Sequence, residues 1–290
     1  MYSLIKKKFG TSKFDNICNI ETDLAINDVV YMGKSDYLLT LPVHHCIAWL
    51  SNNKLTLPWL GELNQVGDKN GDQDSALMNA PLRIGAGSAF CYVVEDNGKT
   101  LRTLDVANRY VSGFFGNVSK KKMHSLCGHL TSFSGSIDVV GKDVYVAYGP
   151  LNRVLRFNGS DVFEFIGSGK GGYSVASKME YSSLSNPTGI SCDKGNIYIS
   201  DTGNHCIRRF SDNILTVVAG HPLKAGDVGG NKALLNSPGK IRIRNDVGYF
   251  IDGNKIKSFS SSGILTAYES DKIVSFDIDY EKNLLIVEKI

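Results

Sequence analysis

The chain predicts an all-β fold, a six-bladed β-propeller, on three observations. Short β-like runs separated by turn chemistry fill its 290 residues. These runs recur with a period of about fifty residues, the mark of a repeat architecture. The two chain ends each read as part of one further repeat.

Taken in order, Ser3–Phe9 (SLIKKKF) reads as the third strand of a blade whose first two strands are absent upstream. Lys6, Lys7 and Lys8 then form the solvated side of an outer strand, where lysines discourage edge pairing. Tyr37–Leu60 superposes on Ile197–Gly220 at a constant offset of 160 without a gap. His45, Cys46, Ile47, Ser51, Asn53, Leu55 and Thr56 recur as His205, Cys206, Ile207, Ser211, Asn213, Leu215 and Thr216. Downstream, Ala76–Pro81 matches Ala233–Pro238. Weaker copies are Cys91–Asp105, with a turn at Asn97-Gly98, Asp143–Phe157, with Asn152 in the place of Asn204, and Val247–Phe259 around Asp252-Gly253-Asn254. Third strands are anchored at Ile47, Leu101, Leu155, Ile207 and Ile256. Asn283–Lys289 (NLLIVEK) reads as a second strand with no third after it. Joined to the N-terminal run it makes the sixth blade, C-terminal strands inside and N-terminal strands outside, which removes two open sheet edges. The expectation is one domain over residues 1–290. Its long connectors, Gly61–Pro81, Gly167–Pro187 and Gly220–Pro238, are rich in Gly, Asp, Ser and Asn, whereas Gly116–Gly135 departs, carrying three lysines and His124.

One stretch, Leu184–Gly220, shows the repeat unit most fully: Pro187, Gly189-Ile190, Gly195-Asn196-Ile197-Tyr198, Asp201 and Asn204-His205, with turns at Asp193-Lys194-Gly195 and Ser211-Asp212-Asn213. It resembles one NHL repeat and departs from it at Cys206. A single blade cannot bury both its faces, so the motif implies copies of itself. The resemblance implies a top face, formed by the connectors and the turns between second and third strands, as the place where ligands bind.

Composition narrows the rest. Hydrophobic content of 42%, charge of 21% and a net charge of +3 suit a soluble core and signal neither nucleic acid nor membrane. No apolar run approaches the roughly 18 residues that span a bilayer. The basic start has no apolar segment after it, so it is not read as a secretory signal, and the expected location is the cytoplasm or an intracellularly assembled particle. Cys18, Cys46, Cys91, Cys127, Cys192 and Cys206 have no metal-ligand spacing and read as small core residues.

Several constellations carry possible chemistry. The position of Asp201 reads Leu41, Glu95, Tyr148, Asp201, Asp252 and Glu288 around the repeats. A ring of carboxylates could hold a divalent cation, but Leu41 and Tyr148 interrupt it, and hydrogen bonding to the local turn is the favoured role. Some propellers of the resembled kind are lyases with zinc held by histidines from several blades, and catalytic zinc needs three such ligands and an open position. Here His45 and His205 occupy the repeat's own His position, where a bond to a neighbouring turn is expected, and His44, His124, His129 and His221 do not converge by spacing. Asp68–Asp74 has the alternating oxygens of a calcium loop but places Gln73 where glycine belongs and Asn79 where a bidentate glutamate belongs. Other propellers of this kind bind RNA; Arg109, Lys120, Lys121, Lys122 and Arg153, with Tyr110, Phe114 and Tyr148, would be the contacts.

The leading expectation is a non-catalytic protein-interaction or structural module working with other proteins in a larger assembly. No catalytic residue, metal or cofactor is assigned. Partner binding falls to Tyr148, Arg153, Arg109, Lys120, Lys121 and Lys122, with Tyr148 and Arg153 foremost because both residue types are enriched at interface hot spots. A metal-dependent lyase or hydrolase and an RNA-binding propeller are the alternatives.

Overall fold

Alternation of apolar and polar residues between Gly-, Asn- and Asp-centred turns commits the chain to short antiparallel strands, and these close into six sheets. The structure, a computed structural model, describes residues 2–7, 14–20, 24–114, 117–128, 130–175 and 179–289, with 14–20 and 117–120 described by their backbone. The fold is a six-bladed β-propeller. Met1, Lys8 and His129 lie outside the described residues, as does the side chain of Lys120.

Contacts divide the chain into two compact units. The first holds blades 6, 1 and 2. Blade 1 runs Asp28–Gly33, Asp36–Leu41, Cys46–Ser51 and Lys54–Leu60. Blade 2 runs Arg83–Ala86, Cys91–Glu95, Thr100–Asp105 and Tyr110–Gly113, with Gly71–Asp72 of the preceding connector added at its outer edge. Blade 6 has Ile273–Ile278 and Leu284–Lys289 as its first and second strands, and Tyr2–Lys7 and Phe14–Ile20 as its third and fourth. The terminal strands pair from Tyr2↔Lys289 to Lys7↔Leu284 without a break. N- and C-terminal strands therefore share one sheet. Tyr2 and Leu4 are buried with Leu285 and Val287 in one cluster.

The second unit holds blades 3, 4 and 5. Their strands are Ile137–Val140, Asp143–Tyr148, Arg153–Phe157 and Val162–Ile166; Pro187–Asp193, Asn196–Asp201, Cys206–Ser211 and Ile214–Gly220; and Pro238–Arg244, Val247–Asp252, Lys255–Ser260 and Gly263–Glu269. Second, third and fourth strands of blades 1 and 4 share every boundary at the sequence offset, and so do the 3-10 turns Pro42–His44 and Thr202–Asn204.

First strands have no sheet neighbour on one side, yet their backbone is satisfied, because side chains of one blade take N–H groups of the next. Asp277 accepts from Tyr31 N–H at 2.8 Å, and Asp28 from Ile84 N–H at 3.1 Å. In the second unit Asp138 accepts from Cys192 N–H at 2.7 Å and Ser191 from Ile243 N–H at 3.0 Å. Buried backbone donors must find such partners, so these ties explain polar side chains in otherwise apolar strands.

Two expectations shift. Register places Asn152, with φ of 51°, opposite His45 and His205 as the left-handed residue closing the 3-10 turn, not at Asn204. Correspondingly Val154, not Leu155, is the third-strand equivalent of Ile207. The basic segment expected as an irregular connector contains a helix, Asn117–Cys127. Its signal is the spacing Met123, Leu126, Cys127 among lysines, which puts Met123 and Cys127 on one buried face. Gly128 then ends it, donating to His124 O at 2.8 Å.

Candidate functional site

The end of each blade where the second strand turns into the third is built around the position of Asp201. In blade 4 that carboxylate is fully buried: Oδ1 accepts from Ser185 N–H at 2.7 Å, and Oδ2 accepts from Asn204 Nδ2 at 2.8 Å and Arg208 Nη1 at 3.4 Å. In blade 2 Glu95 faces Arg102 at 3.5 Å, and in blade 5 Asp252 faces Lys257 at 2.6 Å. All six side chains are buried. Where the carboxylate is missing, so is the cation: Leu41 faces Ala48 in blade 1, and Tyr148 faces Leu155 in blade 3, at the same registers. In these five blades acid and cation are exchanged together, as burial favours, since one buried charge without the other costs several kcal/mol; blade 6 departs, with Glu288 buried and Ile5 at the register of the cation.

Each cation does more than neutralise its acid. Arg102 donates to Leu77 O at 2.7 Å and Lys69 O at 2.9 Å, so it fastens the connector between blades 1 and 2. Arg208 donates to Ser183 O at 2.9 Å and Ser174 O at 3.1 Å of the connector between blades 3 and 4, and Tyr173 lies over its guanidinium at 4.8 Å. Lys257 reaches Asp227 of the next connector at 2.7 Å. Long Gly-rich connectors thus precede the three blades that own a buried cation. Gly61, Gly167 and Gly220, all at positive φ, start these connectors; a Cβ there would sit 2.9, 2.4 and 2.4 Å from the carbonyl oxygens of His45, Asn152 and His205.

The electrostatics follow from burial. Glu95 is pushed up to about 7 by desolvation, opposed by Arg102 and the Asn79 N–H. Asp201 is also raised by desolvation, against the pull of Asn204, Ser185 and Arg208. Asp227, held by Lys255 and Lys257, falls to about 2. Between the ordinary carboxylate value of 4.5 and about 7 the folded protein keeps the Glu95 proton that the unfolded chain has lost, so stability falls as pH rises through that window. Urea unfolding at pH 5 and pH 7.5 is expected to show this fall, of up to about 3 kcal/mol, and Glu95→Gln should flatten it. An equal slope in the variant would assign it to other groups.

His45, His205 and three buried cysteines have structural partners or surroundings. His45 Nδ1 accepts from Ala80 N–H at 3.1 Å, and His205 Nδ1 donates to Asn236 O, each reaching the neighbouring connector. Burial pushes the thiols of Cys46, Cys91 and Cys206 up to about 12, far from a neutral-pH nucleophile. Among the described residues no group of three or more His, Cys, Asp or Glu is placed to hold a metal ion.

The residues expected to bind a partner differ in burial and pairing. Tyr148 is fully buried, its ring 5.1 Å from that of Phe133, because it fills the space that the acid and cation fill elsewhere. Arg153 is turned inward: it donates to Gly167 O at 3.2 Å and Ser168 O at 2.9 Å and pairs with Glu164 at 2.8 Å. Tyr148 therefore has no exposed surface, and the Arg153 side chain keeps 24% of its own. Arg109 is exposed and donates to Gln73 at 2.7 Å. Lys121 is exposed on the helix, and Lys122 pairs with Asp161 at 3.2 Å. What sequence reasoning missed lies on the connectors themselves: Val66, Tyr181 and Leu223 are 60%, 64% and 68% exposed. Their signal was present, a large apolar residue in a Gly- and Ser-rich segment that has no core to enter.

The NHL-repeat family model matches residues 184–210, which include the acid, the 3-10 turn and the cation of blade 4. The chain is a β-propeller carrying an NHL repeat. No curated protein matches it. Similar solved structures include the nidogen/laminin complex, at 10% identity and a TM-score of 0.60, covering 100% of this chain and 99% of that one. A structural genomics protein of unknown function from Bacteroides thetaiotaomicron is 16% identical, with a TM-score of 0.52 over 99% of this chain and 76% of that one. Virginiamycin B lyase from Staphylococcus aureus is 12% identical, with a TM-score of 0.53 over the whole of both chains. At such identities the likeness is one of fold. No helix among the described residues is long and apolar enough to cross a membrane.

Proposed function

We propose that this NHL-repeat propeller is a non-catalytic protein-interaction module, one component of a larger assembly, whose connectors carry the partner-binding side chains. The observation that carries this reading is a contrast within each connector. It is fastened to a buried cation, through backbone carbonyls before blades 2 and 4 and through the Asp227 carboxylate before blade 5, yet large apolar side chains point to solvent: Val66 before blade 2, Tyr181 before blade 4 and Leu223 before blade 5. Rigid backbone presenting exposed apolar groups is the arrangement that loses least entropy on binding. The carboxylates of Glu95, Asp201 and Asp252 are engaged with cations and backbone N–H groups.

Serine replacement tests this. Val66→Ser and Tyr181→Ser, separately and together, are expected to keep the melting temperature within a few degrees. The double variant should weaken capture of a native partner about tenfold or more, roughly 1.4 kcal/mol. The control is Phe90→Ser with Val140→Ser, exposed apolar residues at the turns between first and second strands, which should capture as the parent does. Equal capture by all variants would remove the connectors from the interface.

A further inference from the structure

A cavity of about 600 Å³ lies within the second unit along the outer strand of blade 4. Three features make it more than a gap between loops. One wall is Val217–Gly220, part of the strand Ile214–Gly220, which pairs with Cys206–Ser211 on one side only. Val218 sits at a register shift, has no Cα partner and is 36% exposed. The opposite wall comes from the connector around Gly230–Leu234 and from the outer hairpin of blade 5 at Phe259–Ile264.

The charge of the lining has one sign. His221, Lys224 and Lys232 face the cavity, and no Asp or Glu among the described residues lines it. Lys224 and Lys232 are exposed, and neither has an acidic partner among the described residues, in contrast to Lys255 and Lys257 nearby, which share Asp227. A chain with net charge of only +3 has gathered unpaired cations beside a free strand edge. Gly230, at a φ of 79°, faces open space: a Cβ there would meet nothing within 4 Å.

We propose that this groove binds an acidic peptide segment in extended conformation. It would add as a strand to the edge at Val217–Gly220, with alternate carboxylates directed to Lys224, Lys232 and His221 and apolar side chains in between set against Val218 and Phe259. The edge supplies unpaired backbone donors and acceptors, which give affinity to any extended chain, and the cations select the acidic one. The proposal rests on the interaction-module reading and names a partner chemistry for it.

The test uses the full chain and a fluorescein-labelled peptide of four Glu-Val repeats, with a Lys-Val peptide of equal length and a ten-residue thymidine oligonucleotide as comparisons. Anisotropy should show saturable binding of the acidic peptide, at least tenfold tighter than the basic one. Lys224→Glu with Lys232→Glu should weaken it tenfold or more with the melting temperature unchanged, since both side chains are exposed and unpaired. Amide shifts should concentrate at residues 217–220. Absence of saturable binding, or equal binding by the variant, overturns the proposal. Tighter binding of the oligonucleotide, lost in the same variant, would overturn it in favour of a nucleic-acid groove. Failure of the peptide while Val66→Ser with Tyr181→Ser still loses its partner would sink this groove and leave the interaction module standing; the reverse pattern would remove Val66 and Tyr181 from the interface and keep the groove.

Discussion

Removal of residues 1–20 is expected to give a protein that aggregates or melts far below the parent. Leu284–Lys289 would lose its partner over the whole Tyr2–Lys7 ladder, and the buried pair Tyr2 and Leu4 would leave Leu285 and Val287 uncovered. Those two side chains alone contribute about 3–6 kcal/mol of burial. The Lys6–Asp279 ion pair at 2.9 Å goes with them. An exposed second strand is also a template for intermolecular pairing. Thermal melting and light scattering read both effects, and a peptide of residues 1–20 added in trans should restore the melt. An unchanged melting curve would show that the terminal strands do not hold the blade.

Arg208→Met should lower stability by about 3–5 kcal/mol, because it leaves Asp201 buried without its cation and the carbonyls of Ser183 and Ser174 without a donor. Asp201→Leu combined with Arg208→Ala installs the pair that blade 1 carries as Leu41 and Ala48. That double variant is expected to recover part of the loss, not all of it, since the connector carbonyls stay unpaired. Urea unfolding of the parent, Asp201→Leu, Arg208→Ala and the double variant gives the coupling. If the losses simply add, the two side chains are not acting as a pair.

The sequence made the repeat legible where turn chemistry is strict. Asn53 and Asn213 both take positive φ in the hairpin between third and fourth strands, and His45 and His205 both close the preceding turn at positive φ, so identities persist there and fix the register. The terminal blade was legible because a lone second strand and a lone third strand complement each other. Less legible was the role of Tyr148. Its alignment with Asp201 was sound, but the meaning lay in the simultaneous change of Arg208 to Leu155, a cross-strand relation that linear reading of one position does not expose. The contacts of Arg153 were hidden for a related reason: an arginine next to a turn reads as surface, whereas the carbonyls of Gly167 and Ser168 curl back to meet it. The connector cations were hidden too, because a basic residue within an alternating strand gives no hint of whether its head meets water or backbone oxygens.

Whether a buried cation holds each connector can be read from amide hydrogen exchange in the parent and in Arg208→Met. In the parent, Ser168, Gly172 and Ser182 donate to Ser182 O, Leu184 O and Met179 O, and they should exchange orders of magnitude more slowly than a free loop. In the variant those amides should lose their protection, while Tyr198 and Ile199 within blade 4 keep most of theirs. Equal protection of the connector with and without Arg208, or a connector already exchanging freely in the parent, would contradict the clamp.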